Sequence, residues 1–278
     1  MVAVSSSASS PLPISWLLTS PNCCYYFNSH SLFHQSPSRR FHIRPITASN
    51  ICTPHEVDKS SLIIAETEAE DQLWAASCLR IRSFHDFQPS TYGVQDHKKY
   101  LVEREFEAVK ERIAGKRTGF RRVSCINATL PLSQVSNLSD ELCAECKFND
   151  NGEERVVVGS LDLNQCLRLP DEITGNKPEG MGADFARAYL SNVCVAKELQ
   201  RQGLGLELVE KSKTVAKEWG ITDLYVHVAV DNAPAKNLYL KSGFIYENDE
   251  PTWQARFLDR PRRLLLWLGI STMQDLLQ

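Results

Sequence analysis

The sequence predicts an α+β fold of mixed α/β character, one sheet with helices packed on its faces. Three observations carry that reading. Apolar residues recur with period two and then with helical period in alternating stretches between residues 62 and 269. Residues 189–219 read as a strand, a glycine turn and an amphipathic helix in direct succession. Residues 224–243 repeat the strand-then-helix order and stop on a glycine.

In chain order, Leu62-Ile63-Ile64-Ala65-Glu66 is a first strand. Residues 70–84 put Trp74, Cys78 and Ile81 on one helical face, with Leu73 at its edge. A turn-rich segment from His85 to Gly93 leads to a second helix, about Gln95 to Ala114, whose many Lys, Glu and Arg residues read as a solvated face. Leu142–Phe148 and Arg155–Leu163 flank Asn149-Asp150-Asn151-Gly152, and Asn-Gly is the strongest short hairpin signal. Residues 168–185 carry Pro170, Gly175, Pro178, Gly180 and Gly182 and read as a long loop insert. A last apolar strand, about Arg263–Gly269, closes the sheet. No internal repeat is visible.

Composition changes sharply at Glu56. Before it there is no Asp, Glu or Lys, only Arg39, Arg40 and Arg44 as fixed charges, among many serines. That is the composition of an organelle transit peptide. Ile46-Thr47-Ala48 resembles a stromal-processing pattern and sets removal just after Ala48, whereas Arg39-Arg40-Phe41 would suit a mitochondrial peptidase. The low Arg content and uncharged start favour the chloroplast stroma. The expected organisation is a transit peptide over 1–48, a linker over 49–60 and one folded domain over 61–278.

The whole chain carries 31 basic and 34 acidic side chains, and without the three leader arginines the remainder stands at −6. An acidic body argues against nucleic acid as a partner. No apolar run approaches the ~20 residues of a membrane span. Cys143 and Cys146 form a lone CxxC on a segment read as a strand, where residues three apart face opposite ways, so they are taken as ordinary thiols and no metal is expected. Composition says nothing of oligomeric state.

The chemistry concentrates in YLSNVCVAKELQRQGLG, residues 189–205. A strand, a glycine turn and a helix form an anion site, because the first helical N–H groups lack partners and the dipole is positive there. The spacing is neither a Rossmann fingerprint, since Leu208 stands where a third glycine belongs, nor a P-loop, since Leu206 and Glu207 follow Gly205. Gln200-Arg201-Gln202-Gly203-Leu204-Gly205 fits Gln/Arg-x-x-Gly-x-Gly/Ala, the pyrophosphate turn of the GNAT acyl-CoA N-acyltransferases. Downstream, Asn232, Ala235, Leu238, Tyr239, Gly243 and Phe244 match that family's Asn-x-x-Ala-x-x-Leu-Tyr-x-x-x-Gly-Phe at every named position. With both motifs present in order, the chain resembles a GNAT enzyme.

The resemblance implies a mixed, mostly antiparallel sheet whose central strands splay around acetyl-CoA as co-substrate. It implies that backbone groups of Val193, Cys194 and Val195 hold the thioester arm. Gln200, Arg201, Gln202, Gly203, Leu204, Gly205 and Leu206 would wrap the pyrophosphate, and Asn232, Ala233 and Pro234 would lie beside the pantetheine. Tyr239 would be the general acid, since a phenol can protonate a departing thiolate within hydrogen-bond reach. Tyr189 and His227 resemble the pair that holds a proton-accepting water in catalytic subunits of protein N-terminal acetyltransferases. The acceptor is then a protein N-terminal amine or a lysine. A polyamine or arylalkylamine acetyltransferase is the alternative, and a non-catalytic acyl-CoA-binding module a second. Glu247, Asp249 and Glu250 are expected at the acceptor rim, where they would attract a cation.

Overall fold

A computed structural model describes residues 58–88, 90–166 and 186–270. The expected transit peptide over 1–48 and the expected insert at 168–185 lie outside them. Strands β1 (Ile63–Thr67), β2 (Phe120–Pro131), β3 (Lys147–Asp150), β4 (Glu153–Cys166), β5 (Arg187–Val195), β6 (Asp223–Ala229), β7 (Ile245–Asp249) and β8 (Arg263–Gly269) form one sheet. Its order is β1-β2-β4-β5-β6-β8-β7, with β3 paired to β4. Every pairing is antiparallel except β5 with β6. The α+β expectation, including the mostly antiparallel sheet, therefore holds.

Helices α1 (Glu70–Phe84) and α2 (Val94–Ile113) cover one face of the sheet, and α5 (Leu204–Glu218) and α6 (Ala233–Lys241) cover the other. Between them in sequence lie the short α3 (Leu132–Val135) and α4 (Asp140–Glu145), and α7 (Thr252–Phe257) sits between β7 and β8. On α1 the acidic Glu70 and Asp71 suit the positive helix start, while Leu73, Ala76 and Leu79 are buried. Trp74 meets Phe106 of α2 edge-on, ring centroids 5.4 Å apart. On the other face, α5 comes so close that a Cβ on Gly159 of β4 would stand 2.8 Å from Leu208 Cδ1. Only glycine fits there.

Several sequence expectations are corrected. Cys143 lies on helix α4, not on a strand, because Ser139 caps that helix by accepting from Leu142 N–H. The two thiols remain separate: Cys143 donates to the Val135 carbonyl at 3.3 Å and Cys146 is fully buried. The charged face of α2 is not wholly solvated, since Glu105 and Arg112 turn toward the buried Asp162. Strand β2 escapes the sequence reading because polar side chains are buried on both its faces, Asn127 and Thr129 toward α1 and α2 and Ser124 toward α5, all under 9% exposed. Alternation of that kind does not register as a half-buried strand. The hairpin turn, by contrast, sits where expected, with φ 52° at Asn151 and 94° at Gly152.

Candidate active site

The site starts where two parallel strands part. β5 and β6 pair from Arg187/Asp223 only to Leu190/Val226. Beyond that, β6 continues along β8 as far as Ala229, and β5 continues along β4 as far as Val195. A bulge bends β5 at the parting: Ser191 pairs with Asp162 and Cys194 with Ser160, so Asn192 and Val193 together oppose Leu161. Asn192 takes φ 55°, a left-handed conformation uncommon outside glycine. The resulting gap is edged by the half-buried Val193 and Val195. The Ala196 N–H donates back to Val158 of β4 at 2.8 Å, which by alternation turns the Val195 backbone toward the gap. There its carbonyl accepts from Gln200 Nε2 at 3.2 Å rather than from a strand.

A one-turn helix at Lys197–Leu199 then leads into the glycine turn. Arg201 and Gly203 both take positive φ, 67° and 90°, which swings the chain directly into α5. Leu206 and Glu207 make the first bonds to the Gly203 carbonyl, so the N–H groups of Gly203, Leu204 and Gly205 precede the helical ladder. Leu204 is buried, whereas Arg201, Gly203 and Leu206 are exposed. A Cβ on Gly205 would stand 3.2 Å from Leu238 of α6. This fan of backbone donors at a helix start can take a pyrophosphate. A cation reaches the same place from far away in sequence: Lys59 pairs with Glu207 at 2.7 Å, and its Nζ lies 3.2 Å from where a Gly203 Cβ would be.

Asn232 caps α6, its Oδ1 accepting from Ala235 N–H at 3.1 Å, with Ala233 and Pro234 in the first turn. The cap engages the Asn232 oxygen, so the amide nitrogen is the part left for a ligand. One turn further, Tyr239 is 5% exposed and packs edge-on against Phe244 at 5.7 Å. No hydrogen bond to its hydroxyl is found among the described residues. Burial, then the nearby Cys194, hold this phenol well above its ordinary pKa, so it keeps its proton.

On the opposite face of the sheet, Tyr189 OH and His227 Nδ1 stand 3.0 Å apart across the first residues of the gap. Tyr189, Tyr225 and Leu265 form a buried cluster there, flanked by Trp267. Burial, with the Arg263 and Arg260 guanidiniums, pushes the His227 imidazole down to about 3, so it is neutral throughout the physiological range. Tyr239 and the Tyr189–His227 pair thus lie in separate clusters on the two faces of the sheet. Cys194 offers no competing nucleophile, because burial pushes its thiol up to about 12.

The rim departs from expectation. Glu250 is 7% exposed and held by Arg260 and by Arg263, whose own N–H donates to Glu250 Oε2 at 3.1 Å. Asp249 pairs with Arg262. These carboxylates are neutralised internally and cannot serve as a free cation lure. Among the described residues no three His, Cys, Asp or Glu side chains converge as a metal site would need. Sequence reasoning also missed Arg80, Glu105, Arg112, Asp162 and Asn192, which meet beneath the bulge. The available signal was a lone acid, Asp162, inside the apolar run 156–163, and a lone Arg80 among Cys78, Leu79 and Ile81.

A parting of parallel strands, a donor-lined turn at a helix start and a buried tyrosine define an acyl-CoA-dependent transferase. Residues 137–244 match the acetyltransferase (GNAT) family. The chain is 65% identical, over 85% of its own length and 86% of the relative's, to GCN5-related N-acetyltransferase 7, chloroplastic, of Arabidopsis thaliana. It is 28% identical to GCN5-related N-acetyltransferase 6, chloroplastic, of the same plant over 66% of this chain and 61% of the relative. The chain belongs to the GNAT family and is an acetyl-CoA-dependent N-acetyltransferase.

Proposed function

We propose that the enzyme acetylates protein N-terminal α-amines in the chloroplast stroma, with lysine ε-amines as a second acceptor class. The observation that carries the acceptor assignment is the Tyr189–His227 pair at 3.0 Å, with His227 held neutral. Such a pair can hold a water against the attacking amine without presenting a positive charge. An α-amine, with a pKa of ~7.7–8.0, is already partly neutral near pH 8 and needs little more than that. The acid-poor leader and the chloroplastic relatives support the location.

In this reading the turn from Gln200 to Leu206 binds pyrophosphate, and backbone groups of Val193, Cys194 and Val195, with Asn232, Ala233 and Pro234, hold the pantetheine arm. Tyr189 and His227 position the water that takes the amine proton as the N–C bond forms. Tyr239 gives its proton to sulfur as the C–S bond breaks and recovers one from solvent. The products are an amide and free CoA thiol.

The test is incubation of the protein lacking residues 1–48 with acetyl-CoA and a peptide library, beside spermidine and tryptamine, with products read by mass spectrometry. Acetylation of peptide α-amines well above both small amines is expected. Preference for either small amine would overturn the acceptor assignment.

A further inference from the structure

Beneath the bulge of β5 lies a buried polar network that neither motif contains. Asp162, wholly buried on β4, accepts from Arg80 of α1 at 2.6 and 3.2 Å, from Arg112 of α2 at 3.1 Å and from Asn192 at 2.9 Å. Arg80, 1% exposed, also donates to Ser160 at 2.9 Å and to Glu105 of α2 at 2.9 Å. Asn192 Nδ2 closes the circuit with a second contact to Glu105 at 3.3 Å. An ion cluster of this depth is a poor way to gain stability, since apolar packing of the same volume often serves as well or better. It is a good way to specify one geometry.

The geometry specified is that of the bulge. Ser191 bonds Asn164 and Asn192 bonds Asp162, so two successive side chains point to the α1–α2 face. That is possible only because the bulge breaks alternation. It returns Val195 to the other face, against Gly205 of the turn. The φ of 55° at Asn192 is held by its two acceptors, which belong to β4 and α2.

We propose that Asn192, anchored by Asp162 and Glu105, is a positioning residue for the transfer step. It fixes the bulge so that the gap-facing backbone of β5 is aimed at the thioester carbonyl, and it ties that aim to α1 and α2. The inference rests on the reading of the gap as the thioester site. Asn192 touches neither substrate; it acts through the backbone that follows it.

Two variants of the protein lacking residues 1–48 test this. Asn192→Ala removes both hydrogen bonds and strains the positive φ, whereas Asn192→Gly removes the bonds without strain. Acetyl-CoA labelled with ¹³C at the carbonyl reports polarisation through its infrared C=O stretch when bound. In both variants kcat is expected to fall about 10- to 100-fold, the scale of a misplaced reacting group. The stretch should move back toward its value in free acetyl-CoA, while the acetyl-CoA Kd stays within about threefold. A wild-type stretch and kcat in Asn192→Gly would overturn the proposal, and so would loss of fold in that variant, which would assign the network to stability alone. Failure of the parent protein to bind acetyl-CoA in calorimetry would instead overturn the thioester-site reading on which the inference rests.

Discussion

The two ends of the cleft are built by opposite means. The turn proposed for pyrophosphate is seven consecutive residues, Gln200 to Leu206, that offer backbone donors near the surface. The proposed acceptor end is assembled from Tyr189 on β5, His227 on β6, Arg263 on β8 and Glu250 beyond β7, all buried or half-buried. A site made of contiguous backbone needs only glycines in the right places, so it keeps a readable spacing. A site made of side chains from separate strands is specified by the sheet order, and its charges are settled by neighbours the sequence does not announce. In the proposed reading, recognition of the acyl donor is therefore local, and treatment of the acceptor is a property of the whole fold.

The largest effect that would sharpen this contrast belongs to Tyr239, the proposed general acid. Tyr239→Phe keeps the ring against Phe244 but deletes the proton, so kcat should fall about 10²- to 10⁴-fold with acetyl-CoA Kd and melting temperature little changed. Near-wild-type turnover would leave the tyrosine as a core residue. At the donor end, Gly203→Asp sets a charged side chain at φ 90° among the N–H groups. About 100-fold weaker acetyl-CoA binding in calorimetry is expected, and unchanged affinity would remove the turn from the cofactor site.

At the acceptor end the pH profile is diagnostic. With His227 at about 3, kcat/KM for peptides should climb only through the acceptor amine, ~7.7–8.0, with no step near 6.5. A step near 6.5 that vanishes in His227→Gln would show a protonatable imidazole and break the account. The linkage sign follows from the same burial. Because the folded pKa is depressed, His227 costs stability as pH falls below the unfolded value, ~6.5, toward 3, so His227→Gln should lose less melting temperature over that window. The smallest effect expected is that of Lys59→Ala. It uncovers Glu207 beside the turn and should weaken acetyl-CoA binding about 3- to 10-fold at low salt, with recovery when Glu207→Gln is added. A variant indifferent to salt and to the second change would make Lys59 a bystander.

The same contrast explains what the sequence disclosed. The helices at 70–84 and after the glycine turn, the Asn-Gly hairpin turn and the last strand follow from period and turn chemistry and stand where expected, whereas the hairpin's first strand is Lys147–Asp150 and most of the expected 142–148 belongs to α4. Tyr189 and His227 are singled out by the resemblance to protein N-terminal acetyltransferases, and the structure brings them within hydrogen-bonding distance. What stayed hidden depended on burial of polar groups. Glu250 looked like a rim charge until three arginines surrounded it, and Glu105 looked solvated until α2 met Asp162. β2 is hidden because both its faces are buried and polar Ser124, Asn127 and Thr129 interrupt its apolar alternation.

The sheet order carries one consequence for the life of the chain. β8, the last strand among the described residues, does not sit at the edge; it lies between β6 and β7 and pairs with β6 from Asp223 to Ala229. Neither neighbour has its antiparallel partner until Arg263–Gly269 arrives. A chain emerging N-terminus first from a ribosome thus exposes its glycine turn before it has the strand that pairs with β6 behind His227. The turn proposed for the acyl donor is complete in sequence before β8, the strand on which the wall behind His227 depends.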